Sequence, residues 1–220
     1  MAWWDSVASL TPVAVWDALH FSGGQLQDQV GSNALTVKGD TAVPYPLYGL
    51  SGQEKPWPLA TPMALSGTFV LMGFVMHVSR GLVFYKTIGD SSSYFLDQES
   101  NGLIYQYANG TGSQVGTGPA WGTQKFMALV VSTSDARVFI NNDWAGAAFT
   151  RAWVPDSVGG IGYYADGNEY NLGGSERFYA AGLWTGAASL ADLRALESAC
   201  RAALVGPPVG VQAAGLNRLH

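Results

Sequence analysis

The sequence predicts an all-β fold: a sandwich of two antiparallel sheets with one C-terminal amphipathic helix. Its 220 residues are enough to bury one full core, and all-β domains often reach this size as a single unit. Only 12% of the residues are charged, which is too few for the solvated faces of a helical bundle. Short segments rich in β-branched and aromatic residues, separated by Gly- and Asn-containing turns, fill the chain before about residue 185.

The predicted strands and turns follow one another in chain order. Alternation and composition predict strands at Phe69–Val78, Gly81–Thr87, Leu103–Tyr107, Phe126–Val131 and Ala136–Ile140. Asn101-Gly102 and Asn109-Gly110 predict tight hairpin turns, because Asn and Gly both accept positive φ. We expect Gly39–Thr61, which is rich in proline, and Gly110–Gly122, which is rich in Gly, Ser and Thr, to be irregular.

One amphipathic helix is predicted at Ser189–Leu204. Leu193 and Cys200 recur at helical spacing on its apolar face, so we expect the Cys200 thiol to be buried and inert. Ser189 suits the N-cap position, and Asp192 lies in the first turn, where the helix dipole favours a carboxylate. The pattern therefore predicts a helix that packs one face on the sandwich.

The chain is expected to form one domain with two appendages: an N-terminal arm at 1–12, the sandwich at 13–205 and a C-terminal tail at 206–220. The net charge of −5 argues against a surface for nucleic acid. The longest apolar stretch, Phe69–Val78, is far shorter than the roughly 20 residues of a membrane helix, and we expect no secretory signal. The single cysteine excludes a disulfide within the chain.

Three segments carry a resemblance to a known family. Asp28–Leu35 (DQVGSNAL) is similar to the pattern D-x-x-G-N-x-L, and Lys125–Asn142 is similar to a strand–turn–strand hairpin of that family, although the family's Trp is absent. Phe178–Trp184 followed by Leu190–Leu196 is similar to its last strand and short helix. In this order, over roughly residues 13–204, the segments resemble laminin-G-like, concanavalin A-like lectin-glucanase domains, of the kind found in bacteriophage virion proteins. The resemblance implies a two-sheet antiparallel jelly-roll sandwich.

Catalysis is not expected from the carboxylates. Glycosidases of this superfamily carry E-x-D-x-x-E on one strand, and that string does not occur here. The nearest pair is Asp97 and Glu99, which alternation would place on one face, but a solvated strand end before a turn is the preferred interpretation. We therefore predict a protein that is not an enzyme and has no catalytic residues.

Two kinds of ligand are considered for the loops. Exposed aromatic side chains stack on sugar rings, so the candidate carbohydrate-binding residues are Trp57, Trp121, Tyr163, Tyr164 and Tyr170. Laminin-G-like domains often hold calcium, for which the oxygen ligands would be Asp166, Asn168 and Glu169, although an Asp-Gly turn explains the same residues. No other cofactor is expected.

The resemblance and the low charge favour a virion structural protein, either a capsid decoration protein or a minor tail protein of a bacteriophage. A carbohydrate-binding lectin module that recognises host-surface glycans is the alternative, and a glycoside hydrolase is the third. The expected partners are major capsid or tail proteins and further copies of the chain, with neither nucleic acid nor membrane. The protein would be made in the host cytoplasm and located in the virion. The expected assembly contacts are Trp3, Trp4, Pro207, Pro208 and Val211.

Overall fold

The computed structural model describes most of the chain. The described residues are 2–37, 43–45, 49–51, 57–76, 83–87, 93–99, 101–162, 164–165, 169–170 and 177–204. For 43–45, 49–51, 164–165, 169–170 and residue 177 the description covers the backbone alone.

Strands make up most of the described regular structure. In chain order they are β1 (Thr11–Asp17), β2 (Phe21–Ser22), β3 (Gln25–Leu26), β4 (Leu35–Thr36), β5 (Val43–Tyr45), β6 (Gly49–Ser51), β7 (Trp57–Ala64), β8 (Phe69–Met76), β9 (Phe84–Tyr85), β10 (Tyr94–Gln98), β11 (Leu103–Ala108), β12 (Thr111–Thr117), β13 (Gln124–Val131), β14 (Asp135–Ile140), β15 (Asp143–Trp144), β16 (Phe149–Thr150), β17 (Ser157–Ile161), β18 (Tyr164–Ala165), β19 (Glu169–Tyr170) and β20 (Arg177–Thr185). The α-helix α1 spans Leu190–Leu204, and 3₁₀ turns occupy Trp3–Asp5, Ala18–His20 and Arg151–Trp153.

The strands form two large antiparallel sheets and a small hairpin of β18 and β19. The first sheet has the order β15-β14-β13-β8-β20-β6-β5, with β1 paired to β20 and β16 paired to β14. The second sheet has the order β12-β11-β10-β9-β17-β7-β4-β3-β2. The prediction of an all-β sandwich of two antiparallel sheets with one C-terminal helix is confirmed.

The main core lies between the two sheets. Alternation along β13 shows why: Met127 and Leu129 face this core, whereas Phe126 and Ala128 point to the other side of the first sheet. Apolar residues of the second sheet, such as Phe95, close the core from the opposite side. The short apolar segments of the sequence are therefore buried strands, as their composition predicts.

A second core lies between the first sheet and α1. The buried helix residues Leu193, Leu196 and Cys200 pack against residues of the sheet such as Phe74. Burial raises the pKa of the Cys200 thiol well above its ordinary value. The prediction of a helix with a buried Cys200 is confirmed. Within the described part of the chain, no helix is long and apolar enough to span a membrane.

A polar network attaches α1 to the turn between β14 and β15. The buried carboxylate of Glu197 accepts hydrogen bonds from the Asn142 backbone N–H (2.8 Å) and from Nε of Arg201 (2.7 Å). Nη2 of Arg201 also donates to Oδ1 of Asn141 (2.8 Å). Asn141 and Asn142 adopt φ of 44° and 76°, the left-handed geometry of a tight hairpin turn. The network satisfies a buried charge and fixes where the helix sits on the sheet.

The N-terminal residues pack on this second core. Trp3 is 7% exposed, its indole Nε1 donates to the buried Asp17 carboxylate (3.3 Å), and its ring lies 6.1 Å from that of Trp184. The backbone carbonyl of the half-buried Trp4 accepts a hydrogen bond from Trp184 Nε1 at 3.0 Å. Because these contacts bury Trp3 within its own chain, we correct the expectation that Trp3 is an assembly contact. Pro207, Pro208 and Val211 lie outside the described residues.

Two segments expected to be irregular contain strands. β7 occupies the end of the proline-rich stretch, and β12 occupies half of Gly110–Gly122. β12 (TGSQVGT) has few of the residues that favour strands, but the turn at Asn109-Gly110, with φ of 52° and 73°, brings it alongside β11. Pairing with a neighbour, rather than local composition, makes this segment a strand.

The N-cap of α1 makes stability depend on pH. Hydrogen bonds from the Ser189 backbone N–H (2.9 Å) and Oγ (2.8 Å) lower the pKa of the Asp192 carboxyl. A carboxyl with a depressed pKa in the folded state stabilises the fold at neutral pH, and this stabilisation is lost as the pH falls through that folded pKa. We expect Asp192→Asn to be less stable than wild type at pH 7, with the difference shrinking below about pH 4.

Urea unfolding between pH 3 and pH 7 measures this effect. Asp5→Asn, which removes an exposed carboxyl elsewhere, is the control and should leave the pH dependence close to that of wild type. A difference between Asp192→Asn and wild type that stays constant down to pH 3 would contradict the assignment.

Candidate functional site

A row of tyrosines crosses the outer face of the second sheet. Tyr85 is paired with Tyr94, and Tyr94 with Tyr107, so the three side chains lie side by side on β9, β10 and β11. Their neighbours Phe84 and Phe95 face the main core, which places the tyrosines on the opposite side of the sheet. The rings of Tyr94 and Tyr107 are 4.7 Å apart between centroids, at 38°. A continuous aromatic strip therefore runs across three strands.

A β-bulge in β10 brings a carboxylate to the same face. The register advances from Tyr94 opposite Tyr107 to Asp97 opposite Tyr105, so β10 has one residue more than β11 in this interval. Leu96 takes the left-handed conformation (φ 54°), and its N–H donates to Oε1 of the buried Gln106 at 2.7 Å. Without the extra residue, strict alternation would place Leu96 beside Tyr105. The bulge instead places Asp97 there.

The accessible part of this face lies on β11 and β12. Tyr105 and Tyr107 are half-buried, and Gln114, paired with Tyr105, is exposed. Tyr94 and Asp97 are buried behind them. We call Tyr94, Asp97, Tyr105, Tyr107 and Gln114 the tyrosine face. It combines half-exposed aromatic rings with amide, phenol and carboxylate groups.

Tyr85 continues the row toward β17, where a glycine makes room for it. A Cβ atom added to Gly160 would lie 2.3 Å from the phenolic oxygen of Tyr85 and 2.3 Å from the backbone oxygen of Trp57. Burial raises the pKa of Tyr85 well above its ordinary value, so the phenol is uncharged. Beside it, Lys86 Nζ pairs with Asp156 Oδ1 at 2.9 Å, and this contact lowers the pKa of Asp156.

A groove adjoins the tyrosine face at the edge of β12. Its volume is about 470 Å³, and it lies between β12 and the segment Ala145–Phe149. Phe149 and Trp153, both half-buried, line it as a stacked pair with centroids 5.9 Å apart at 18°. Gln114 and Thr117 contribute polar side chains. We call this feature the β12 groove; it shares Gln114 with the tyrosine face.

The structure separates the tryptophans predicted to bind sugar. Trp57 is fully buried, with its ring 5.3 Å from that of Phe178 in the main core, so we correct its assignment: a ring without exposed surface cannot stack on a sugar. Trp121 is half-buried in the loop between β12 and β13, and its buried Nε1 has no hydrogen-bond partner among the described residues. Neither belongs to the tyrosine face.

The remaining predicted ligand residues lie in the β18–β19 region. Tyr163, Asp166 and Asn168 are outside the described residues. The backbones of Tyr164 and Tyr170 are paired with each other, and Glu169 is paired with Ala165. Among the described residues, no group of three His, Cys, Asp or Glu side chains is placed to hold a metal ion. The calcium site stays a prediction.

Sequence reasoning missed the tyrosine face, although part of its signal was local. The alternation in Leu103–Tyr107 places Tyr105 and Tyr107 on one side of the strand, and the pair could have been found from that pattern. For Asp97 the preferred interpretation is a solvated strand end, whereas the structure buries this carboxylate on the tyrosine face. Gln114 gave no signal, because its segment was expected to be a loop.

The two packed antiparallel sheets define a concanavalin-like sandwich. No protein-family model matches the chain, and a search of the curated proteins finds no relative. Among solved structures, the chain is similar to Trypanosoma rangeli sialidase (TM-score 0.62, 15% identity), with 91% of this chain and 34% of that chain covered. It thus spans about a third of the sialidase.

Two other solved structures share the fold. Domain 4 of AbnA, a GH43 extracellular arabinanase from Geobacillus stearothermophilus, was solved in complex with arabinotriose. It matches with a TM-score of 0.56 and 12% identity, and covers 86% of this chain and 98% of the domain. The receptor-binding domain of botulinum neurotoxin D matches with a TM-score of 0.55 and 13% identity, with 86% and 52% covered.

These neighbours correct the prediction that the chain is not an enzyme. Sialidases are glycoside hydrolases, and the fold of this chain occurs within them. That prediction was wrong, because it excluded catalysis from the absence of one sequence string. At 15–16% identity over a third of the sialidase chain, the likeness itself extends to the fold alone.

Proposed function

We propose that this chain is a carbohydrate-binding module that holds sugar on the tyrosine face. The observation that carries the proposal is the pair of half-exposed rings, Tyr105 and Tyr107, beside the exposed amide of Gln114. Sugar rings have apolar C–H faces and polar edges, so they are bound by aromatic surfaces that also offer hydrogen bonds. Tyrosine supplies both in one side chain.

The surroundings of these rings favour a rigid platform. Tyr94 packs against Tyr107 from the buried side, and the hydrogen bond from the Leu96 N–H to Gln106 holds the bulge of β10 against β11. Rings that are already ordered in the free protein lose little conformational entropy when a ligand binds. The platform therefore needs no rearrangement before it contacts sugar.

The comparison with the arabinanase domain supports the proposal. That domain has the same fold, is covered over nearly its whole length, and holds arabinotriose. Fold alone does not transfer a ligand, so the tyrosine face carries the argument and the likeness adds to it. Arabinotriose is a reasonable first probe for the same reason.

Alanine variants of the two exposed rings test the proposal. We expect Tyr105→Ala and Tyr107→Ala each to weaken binding about tenfold or more, because each removes a stacking surface worth on the order of 1–2 kcal/mol. Calorimetric titration with arabinotriose and with the best ligand of a glycan array measures the effect. Trp121→Ala, a half-buried aromatic residue outside the tyrosine face, is the matched control and should bind like wild type.

Two results would contradict the proposal. One is that the wild-type protein binds no glycan on the array. The other is that both tyrosine variants bind as tightly as wild type. A parallel assay of reducing-sugar release examines catalysis on the same face. If hydrolysis is seen, its loss in an Asp97→Asn, Glu99→Gln double variant would assign it to those carboxylates.

Membership of the laminin-G-like domains of bacteriophage virions stays a proposal that rests on the sequence resemblance. A surface that binds glycans would suit a particle that attaches to host cells, so the two proposals are compatible. Mass spectrometry of purified particles from the source would test it. Absence of the protein from particles would contradict a virion role, and copy number would separate capsid decoration from the tail.

A further inference from the structure

We infer that the ligand is a neutral linear oligosaccharide that crosses β12, from the tyrosine face into the β12 groove. This inference rests on the proposed function and extends it, since it names the class of sugar and a second contact region. It predicts that the protein discriminates by chain length as well as by sugar identity.

The outer face of the second sheet continues into the β12 groove. β12 is the terminal strand of the second sheet, so the outward-facing row that contains Tyr105 and Gln114 ends at its edge. The β12 groove begins at that edge and has Gln114 in its lining. A ligand that lies on Tyr105 and continues past Gln114 therefore enters the groove.

The β12 groove has aromatic and polar side chains in its lining. The stacked rings of Phe149 and Trp153 give it an aromatic wall, and Thr117 and Gln114 add a hydroxyl and an amide to its lining. Its volume of about 470 Å³ falls within the roughly 300–1,000 Å³ typical of small-molecule sites. The groove thus repeats the combination of aromatic surface and hydrogen-bonding groups found on the tyrosine face.

Backbone contacts hold the groove segment Ala145–Phe149 against β12. Gly146 lies so close to β12 that a Cβ atom there would be 2.5 Å from the backbone oxygen of Val115. Thr117 N–H also donates to the carbonyl of Ala145 at 3.0 Å, which joins the groove segment to β12. The floor is therefore fixed by backbone contacts, and the exposed Ala147 forms a small, open rim.

The charge of the groove lining bears on the class of sugar that the groove accepts. All the described side chains that line the groove are uncharged. The nearby Arg137 is already engaged, because its Nε donates to the carbonyl of Gly146 at 2.9 Å and its guanidinium lies 4.6 Å from the ring centroid of Trp144. With no free cation in its lining, the groove favours a neutral sugar over an acidic one.

Affinity as a function of chain length tests the inference. The probes are a disaccharide and a hexasaccharide from each of the arabinan and cellulose series, with hexagalacturonic acid as the acidic comparison. For wild type we expect the hexasaccharide of the preferred neutral series to bind about tenfold more tightly than its disaccharide. Trp153→Ala removes part of the aromatic wall, and Ala147→Trp fills the groove from an exposed position. Both should abolish the tenfold gain and leave disaccharide affinity within about twofold of wild type.

The outcomes separate the inference from the proposed function. If the hexasaccharide gain persists in both groove variants, the groove is not used and the inference is overturned, while sugar binding on the tyrosine face stands. Tighter binding of hexagalacturonic acid than of either neutral hexasaccharide would overturn the neutral class. If Tyr105→Ala and Tyr107→Ala have no effect on the disaccharide, the proposed function itself fails. Because Ala147→Trp adds bulk at an exposed residue, it remains informative even if Trp153→Ala is poorly folded.

Discussion

Replacing Trp184 by alanine is expected to lower the free energy of unfolding by about 3–5 kcal/mol. The side chain is fully buried in the core between the first sheet and α1, and its indole Nε1 donates to the backbone carbonyl of Trp4. Its removal leaves a cavity and a carbonyl without its donor, and both cost free energy. A loss of this size is a large share of the roughly 5–15 kcal/mol that stabilises a typical domain.

Urea unfolding followed by circular dichroism measures the loss as a lower midpoint at unchanged slope. Trp184→Phe keeps most of the apolar volume but loses the indole hydrogen bond and leaves a smaller cavity, so we expect a loss of about half that of alanine. Trp121→Ala makes the same substitution at a half-buried ring and should cost much less. A loss for Trp184→Ala no greater than that for Trp121→Ala would contradict the packing described here.

The same contact changes the expected role of the N-terminus. From the sequence alone, the apolar N-terminal segment at 1–12 is expected to be an external arm. The structure instead buries Trp3, Val7 and Leu10 in the core formed with α1. The difference arises because the site that buries these residues forms only when β1, β20 and α1 pack together. No local sequence pattern therefore predicts it. The N-terminal segment therefore contributes to the stability of its own fold.

Local signals made part of the fold predictable. Helix α1 was found from its own residues: Ser189 and Asp192 exchange hydrogen bonds at the N-cap, and Cys200 lies on the buried face. The turn at Asn109-Gly110 was found because both residue types accept positive φ. The sandwich followed from many such segments in one chain.

The candidate site was less predictable because it depends on register between strands. Tyr94 and Tyr107 become neighbours only through the pairing of β10 with β11, and Asp97 joins them only because the bulge at Leu96 adds a residue. Trp57 shows the opposite error. Its proline-rich context predicts an exposed loop, but the residue lies in β7 and its side chain points into the main core. Composition predicts which residues could bind sugar, and tertiary pairing decides which of them are reachable.

Replacing Gly160 by alanine is expected to lower the free energy of unfolding by about 3 kcal/mol and to weaken sugar binding as well. The new Cβ would lie 2.3 Å from the Tyr85 phenolic oxygen and 2.3 Å from the Trp57 backbone oxygen. A backbone oxygen cannot rotate away, so β17 and β7 must separate, and the Tyr85 phenol must also move to relieve its own contact. Because Tyr85 is paired with Tyr94, its movement displaces the row that supports Tyr107.

A double-mutant cycle with Tyr85→Ala separates the two contacts. If the ring is the obstacle, the double variant will be more stable than the sum of the two single losses predicts, by about 1 kcal/mol or more. If the Trp57 oxygen is the obstacle, the losses will add. Ser157→Ala, a small substitution on the same strand, is the control for changes that leave the row in place. Unchanged stability and unchanged sugar affinity in Gly160→Ala would contradict the close approach of Tyr85 to this strand. Loss of affinity without loss of stability would instead show that the β7–β17 pair and Tyr85 both adjust at little cost, and that the order of the tyrosine row is what the ligand requires.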